Sequence, residues 1–167
     1  MFRTTILLLF FLQQDLHACS IVVERFKPSF DQVNEDSYLI PEFRFSVLDI
    51  KRGVAPRRMV DSSVVVTGSC DYRGIINIKV ESENGIDPCN YGFYIYGSKG
   101  QIPEGLIPGY PRQPLKWDDQ CILSLSWKDG TTSTQESIKF NLQFEAVNHI
   151  LYKGDRSEKV LIQHKGN

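Results

Sequence analysis

Apolar and polar residues alternate along much of this chain, and a period of two is the mark of a strand with one buried face. Phe43, Phe45 and Val47 alternate with Arg44 and Ser46, and the run continues to Ile50 before Lys51-Arg52-Gly53 ends it. Leu123, Leu125 and Trp127 alternate within Ile122–Trp127 in the same way. Shorter β-branched or aromatic runs lie at 21–26, 63–67, 75–80 and 93–96. Turn signals separate them: Gly68, Glu83-Asn84-Gly85 and Lys128-Asp129-Gly130. Pro56, Arg57 and Arg58 make a basic loop, and the Gly- and Pro-bearing stretch 97–116 reads as a long surface loop. Short strands at such spacing predict a mainly β domain built as a small barrel.

Two periods compete after Gly130. Ser133-Thr134-Gln135-Glu136 fits a capping box, in which Ser133 caps a backbone N–H and Glu136 reaches back to the cap residue. Ile138, Leu142, Ala146 and Ile150 follow at spacings of four, and Lys153-Gly154 offers a stop, so a helix over 134–152 is expected. The rival is a strand, because Ile138, Phe140, Leu142, Phe144 and Ala146 also alternate. A faint echo between 43–53 and 140–154, each running from aromatics to a basic residue and glycine, is read as chance, although it is the best argument for the strand.

The first 18 residues read as a cleaved secretory signal. Arg3 is the positive region, Ile6 to Leu12 the apolar region and Gln13 to Ala18 the polar region. The apolar run is far short of the roughly 20 residues of a membrane-spanning helix, so the chain is expected not to be transmembrane. Cleavage before Cys19 is one reading, and cleavage that removes Cys19 is another. Leu16-His17-Ala18-Cys19 as a lipid-attachment box is a third, in which His17 fits poorly. The mature domain then spans 19–167 and is expected to be secreted and monomeric. Cys19, Cys70, Cys89 and Cys121 make an even count behind that signal, which implies two disulfides, with three pairings open. A zinc site lacks support, because no CxxC pair occurs and His17, His149 and His164 are scattered.

A formal net charge of -1 gives no basic face for nucleic acid or an anionic membrane. No catalytic set stands out, so no enzymatic activity, cofactor or metal is expected. Asp118-Asp119 and Glu81/Glu83 are carboxylate pairs in turn-rich segments, where solvated charge is the commoner role. Trp127 alternates with Leu125 and Leu123 and reads as core. Neither a GxGxxG loop nor a Walker lysine occurs, so nucleotide binding has no motif behind it.

Five weak motifs fall in one order. Ile21 to Lys27 and Phe43 to Gly53 resemble two barrel strands, and Cys89 followed by Phe93-Tyr94-Ile95-Tyr96-Gly97 resembles a Cys-led strand closed by glycine. Cys121 to Trp127, and then Ser133-Thr134-Gln135, resemble a Cys-to-Trp strand leading to a helix start. Over about residues 20–150 this order resembles the inhibitory domain of the tissue inhibitors of metalloproteinases. The resemblance implies a netrin-like OB fold, a five-stranded barrel with a packed helix towards the C-terminus. It also implies a partner, a zinc metalloendopeptidase, whose catalytic zinc is chelated by the α-amino group and carbonyl of Cys19 while Ser20 points into the specificity pocket. An α-amino group with a pKa near 8 turns neutral readily at such a metal. By the same resemblance the preferred pairing is Cys19–Cys89 with Cys70–Cys121.

The departures are specific. The family begins Cys-x-Cys, whereas Cys19-Ser20 is followed by Ile21. The first strand starts about ten residues early, and a second alignment by position sets Cys19 against the family's third Cys, which leaves no inhibitory ridge. The family's Cys-rich C-terminal domain has no counterpart either. The second function class is therefore an extracellular netrin-like binding module that uses the 97–116 loop and exposed tyrosines on a protein or matrix partner.

Overall fold

The computed structural model describes residues 24–31, 33–53, 59–60, 63–64, 72–130 and 135–166. The expected signal, Cys19, Ser20, Cys70, the basic loop at 56–58 and the proposed cap Ser133 lie outside them. The strands are β1 (Glu24–Arg25), β2 (Phe43–Lys51), β3 (Met59–Val60), β4 (Ser63–Val64), β5 (Arg73–Ser82) and β6 (Gly92–Gly100). They continue with β7 (Arg112–Gln113), β8 (Leu115–Trp117), β9 (Gln120–Lys128), β10 (Ile138–Val147), β11 (Lys153–Arg156) and β12 (Val160–His164).

The fold is mainly β, as expected, but the strands form two antiparallel sheets and no closed barrel among the described residues. The first sheet runs β1-β7-β6-β10, with β11 and β12 both pairing along the far edge of β10. The second runs β2-β5-β9-β8, and β3 pairs with β4 as a separate ribbon. Each large sheet turns its alternating apolar residues to the other. Ile76, Ile78 and Val80 of β5 and Leu123, Leu125 and Trp127 of β9 meet Phe93 and Ile95 of β6 and Phe140, Leu142 and Phe144 of β10. Phe45 of β2 crosses the interface, stacked on Phe144 at 4.3 Å and edge-on to Phe93 at 5.4 Å. Such aromatic pairs add to the burial of their surface.

The expected helix over 134–152 is replaced by β10. Ile138, Leu142 and Ala146 satisfy both periods, but a helix would carry Phe140 and Phe144 round to another face. In β10 both are 1% exposed, and all the inward positions from Phe140 to Ala146 lie in the core. The backbone is paired with β6 on one side and with β12 and β11 on the other. The would-be helix start is pinned elsewhere, since Gln135 Nε2 donates to the Gly53 carbonyl and Arg52 Nη2 donates to the Glu136 carbonyl at 2.9 Å. Lys153-Gly154, read as a stop, opens β11.

The expected loop at 97–116 is narrower and stands over 101–111, which carry no strand or helix. β6 extends to Gly100, β7 and β8 take up the far end of the expected span, and Leu106 is 1% exposed in the core. Ile102 folds over Gly97, where a Cβ would collide with it. The turns expected at Gly85 and Gly130 stand, with φ of 69° and 82°, which glycine adopts without strain, and the turn expected at Gly68 lies outside the described residues. Asp118 and Asp119, with φ of 45° and 59°, form the two-residue turn between β8 and β9.

Cys89 is bonded to Cys121, with Cα atoms 5.5 Å apart, and this replaces the expected pairing of Cys19 with Cys89 and of Cys70 with Cys121. Cys121 points inward at the start of β9, next to Val80 across the ladder with β5. Cys89 sits in a 3-10 turn at Pro88–Asn90, capped by Asp87, whose Oδ1 accepts from the Cys89 N–H at 3.0 Å. The bridge ties this turn, at the entry to β6, to the second sheet.

Candidate functional site

Of the residues expected to act on a partner, Cys19 and Ser20 lie outside the described residues. The described cysteines are structural. Asp87, Cys89 and Cys121 bring three potential metal-binding atoms within 4.8 Å, but both sulfurs are in the disulfide and offer no thiolate. Glu81 is paired with Lys79 at 2.6 Å and Glu83 with Arg44, so neither carboxylate of that pair is free.

The most concentrated charge in the interior joins the end of β2 to the end of β9. Asp129 accepts two hydrogen bonds from Arg52 at 2.8 Å each, one from the Gly53 N–H at 2.7 Å and one from Trp127 Nε1 at 3.1 Å. The two charged side chains are only 4% and 3% exposed. Burial alone would push the Asp129 carboxyl up, but the Arg52 guanidinium and the Gly53 and Trp127 donors together hold it below its ordinary value. Arg52 Nη1 also lies 3.5 Å from His164 Nδ1, at the end of β12. This buried pair ties β2 to β9 within the second sheet, and Arg52 carries the tie on to His164 of the first.

The outer face of the first sheet carries a second network. Glu145 of β10 accepts from the Tyr96 hydroxyl and from Lys153 Nζ, both at 2.7 Å. Lys153 lies over the Tyr94 ring at 4.3 Å, and Arg156 over Tyr96 at 3.9 Å. Burial raises the Glu145 carboxyl, but the Lys153 and Tyr96 hydrogen bonds outweigh it and the group stays more acidic than usual. Tyr96 is pushed up, first by burial and then by the Glu145 carboxylate that accepts its proton.

The feature with no structural explanation of its own is the tip beside that network. Asn148, 4% exposed, organises it. Its Oδ1 accepts from the N–H groups of Ile150 and Tyr152 at 3.1 Å each, and its Nδ2 donates to the Ser37 carbonyl. Ser37 lies in a 3-10 turn at Glu35–Tyr38, closed by a reciprocal cap with Asn34. Asn34 Oδ1 accepts from the Ser37 N–H at 3.0 Å, and Ser37 Oγ accepts from the Asn34 N–H at 3.1 Å. The segment after that turn lies along β11, with Tyr38 edge-on to Tyr152 at 5.5 Å and Ile40 packed over Gly154.

This scaffold presents large apolar groups to solvent. Tyr38 is 54% exposed, Leu39 67%, Leu151 43% and Tyr152 44%. Leu151 has φ of 63°, a left-handed conformation that costs a bulky side chain roughly 1–2 kcal/mol. Exposed apolar clusters on a rigid frame are the usual chemistry of a protein-docking surface. Strain held beside such a cluster is a further pointer to function.

Comparison of the chain with protein-family profiles, with curated proteins and with solved structures gives no match. The tip itself was missed by sequence reasoning. Asn34-x-x-Ser37 is a legible capping signal, but nothing local tells that Asn148, 111 residues from Ser37, supports it.

Proposed function

We propose that this chain is a secreted, non-enzymatic binding module that docks an extracellular protein against the tip formed by Tyr38, Leu39, Leu151 and Tyr152. The observation that carries this reading is that four large exposed side chains are held in place by one buried, fully engaged asparagine. Tyrosines and leucines fixed in this way lose little conformational freedom on binding. Replacing Tyr38 and Leu39 together by serine should abolish capture of partner from conditioned medium and leave the unfolding midpoint nearly unchanged. Unaltered capture would reject the tip as the docking surface.

A second reading follows from Cys19-Ser20 behind the signal-like leader. In it the chain inhibits a metalloendopeptidase by chelating the catalytic zinc with the Cys19 amine and carbonyl, since such a zinc keeps an open coordination position. Protein with a verified Cys19 terminus, titrated against a panel of matrix metalloproteases, tests it. Inhibition that disappears when one alanine precedes Cys19, and that survives Arg57→Ala, supports this reading. No inhibition at micromolar protein rejects it.

A further inference from the structure

A cleft of about 1130 Å³ opens between the two sheets on the side away from the disulfide. One wall is β2, and the other is the segment Asp155–Leu161 that joins β11 to β12. Phe43, Phe45, Val47, Phe144 and Ala146 supply its apolar lining. The cleft is a wedge, because at the far end Arg52, just past β2, reaches His164 and the Glu136 carbonyl and draws the sheets together.

The two walls differ in what their backbones still offer. The β11–β12 wall is already committed to β10. Ser157 donates its N–H to the Phe144 carbonyl at 2.8 Å, its Oγ accepts from the Phe144 N–H at 3.0 Å, and its carbonyl accepts from Gln143 Nε2 at 3.0 Å. β2, by contrast, pairs among the described residues only with β5. Every second residue of β2 therefore turns its N–H and C=O away from the sheet, towards the cleft. Edge strands this long are normally shortened, bulged or broken by proline. The opposite edge of the same sheet, β8, is three residues long. β2 has no proline, and its bulge comes only after Val47, at the exposed Leu48. Residues 43–47 are thus a regular, open template beside an apolar floor, roughly 16 Å long.

The rim adds a sign. Glu83 is paired with Arg44, and Arg156 is stacked on Tyr96. Glu42, Asp155 and Glu158 remain against Lys159 and the still-cationic Arg156, a rim net negative by one charge, and none of the five is in an ion pair among the described residues.

We propose that residues 43–47 of β2 bind an extended, basic peptide segment of a protein partner, which adds a fifth strand to the second sheet. Main-chain hydrogen bonds to β2 supply affinity, and alternate apolar side chains enter the cleft over Phe144 and Ala146. Lysine or arginine at the flanks meets Glu42, Asp155 and Glu158. This site is distinct from the tip and does not depend on it.

The probe is the capped heptapeptide Lys-Val-Thr-Val-Thr-Val-Lys, titrated into isotope-labelled protein and followed by amide chemical shifts. Saturable shifts confined to 43–47 and 155–161 are expected, with the same affinity in the Leu151→Gly variant. Methylating the five internal backbone nitrogens of the peptide should weaken binding about tenfold or more, because it removes the donors that pair with β2. The double variant Asp155→Lys/Glu158→Lys, at exposed positions, should reverse the preference towards a peptide with glutamate in place of lysine. No binding at millimolar peptide would overturn the proposal. So would equal binding of the methylated peptide, or shifts centred on β8. Concentration-dependent pairing of two copies through β2 would overturn it too, by assigning the edge to self-association.

Discussion

Asp129 shows how much a single side chain does in this fold, and how little of that is visible locally. In the sequence it is the middle of a Lys-Asp-Gly turn, and Arg52 is the basic residue that ends a strand. The ion pair joins positions 77 residues apart, so no spacing rule brings them together. Asp129→Asn leaves the Arg52 charge buried without its partner and should cost about 3–5 kcal/mol in urea unfolding. The pH dependence has a definite sign. The folded carboxyl is more acidic than the unfolded one, so its contribution is complete above the unfolded carboxylate range. That contribution is lost as pH falls through the depressed folded value. Wild-type stability should therefore drop more steeply below about pH 4 than that of Asp129→Asn, measured as unfolding free energy against pH. Parallel acid limbs would show that the pair is not ionised in the native state.

Strands defined by alternation, β2, β5 and β9, were legible because their inward residues are apolar and their outward ones mostly polar, Ile75 and Ile122 being the exceptions in β5 and β9. β10 was harder, since its apolar residues at spacings of four imitate a helix, and only Phe140 and Phe144 separate the two periods. Short strands such as β7 and β8 carry no usable periodicity and are set by their neighbours. The β8–β9 hairpin offers a test at this scale. Asp118 and Asp119 both have positive φ, as a type I′ turn requires, and glycine suits the second position better. Asp119→Gly should stabilise the domain by roughly 0.5–1 kcal/mol. Gly100→Ala should do the opposite, because φ is 89° there and a Cβ would press on the backbone of Lys139 and Phe140. Thermal unfolding of the pair checks both signs.

At the scale of the molecule, the sequence indicated a disulfide-bearing β protein, whereas the closure of its sheets and the Cys89–Cys121 bridge depend on contacts distant in sequence. The bridge closes a separation of 32 residues and should contribute about 3–4 kcal/mol on a chain-entropy account. Non-reducing digestion should yield one peptide pair holding Cys89 and Cys121, and a fragment joining Cys19 to Cys89 would contradict this arrangement. The proposed binding tip is likewise a product of the whole fold: it forms where the β10–β11 turn meets the segment after Ser37, and Leu151 holds a left-handed backbone there. The Leu151→Gly variant tests that account most directly, with unfolding free energy and partner capture measured on the same preparation. Glycine relieves the left-handed backbone, so stability should be unchanged or up to about 1 kcal/mol higher, while loss of the exposed leucine should weaken capture about tenfold or more. Capture as strong as that of the wild type would contradict the claim that this tip is where the partner binds.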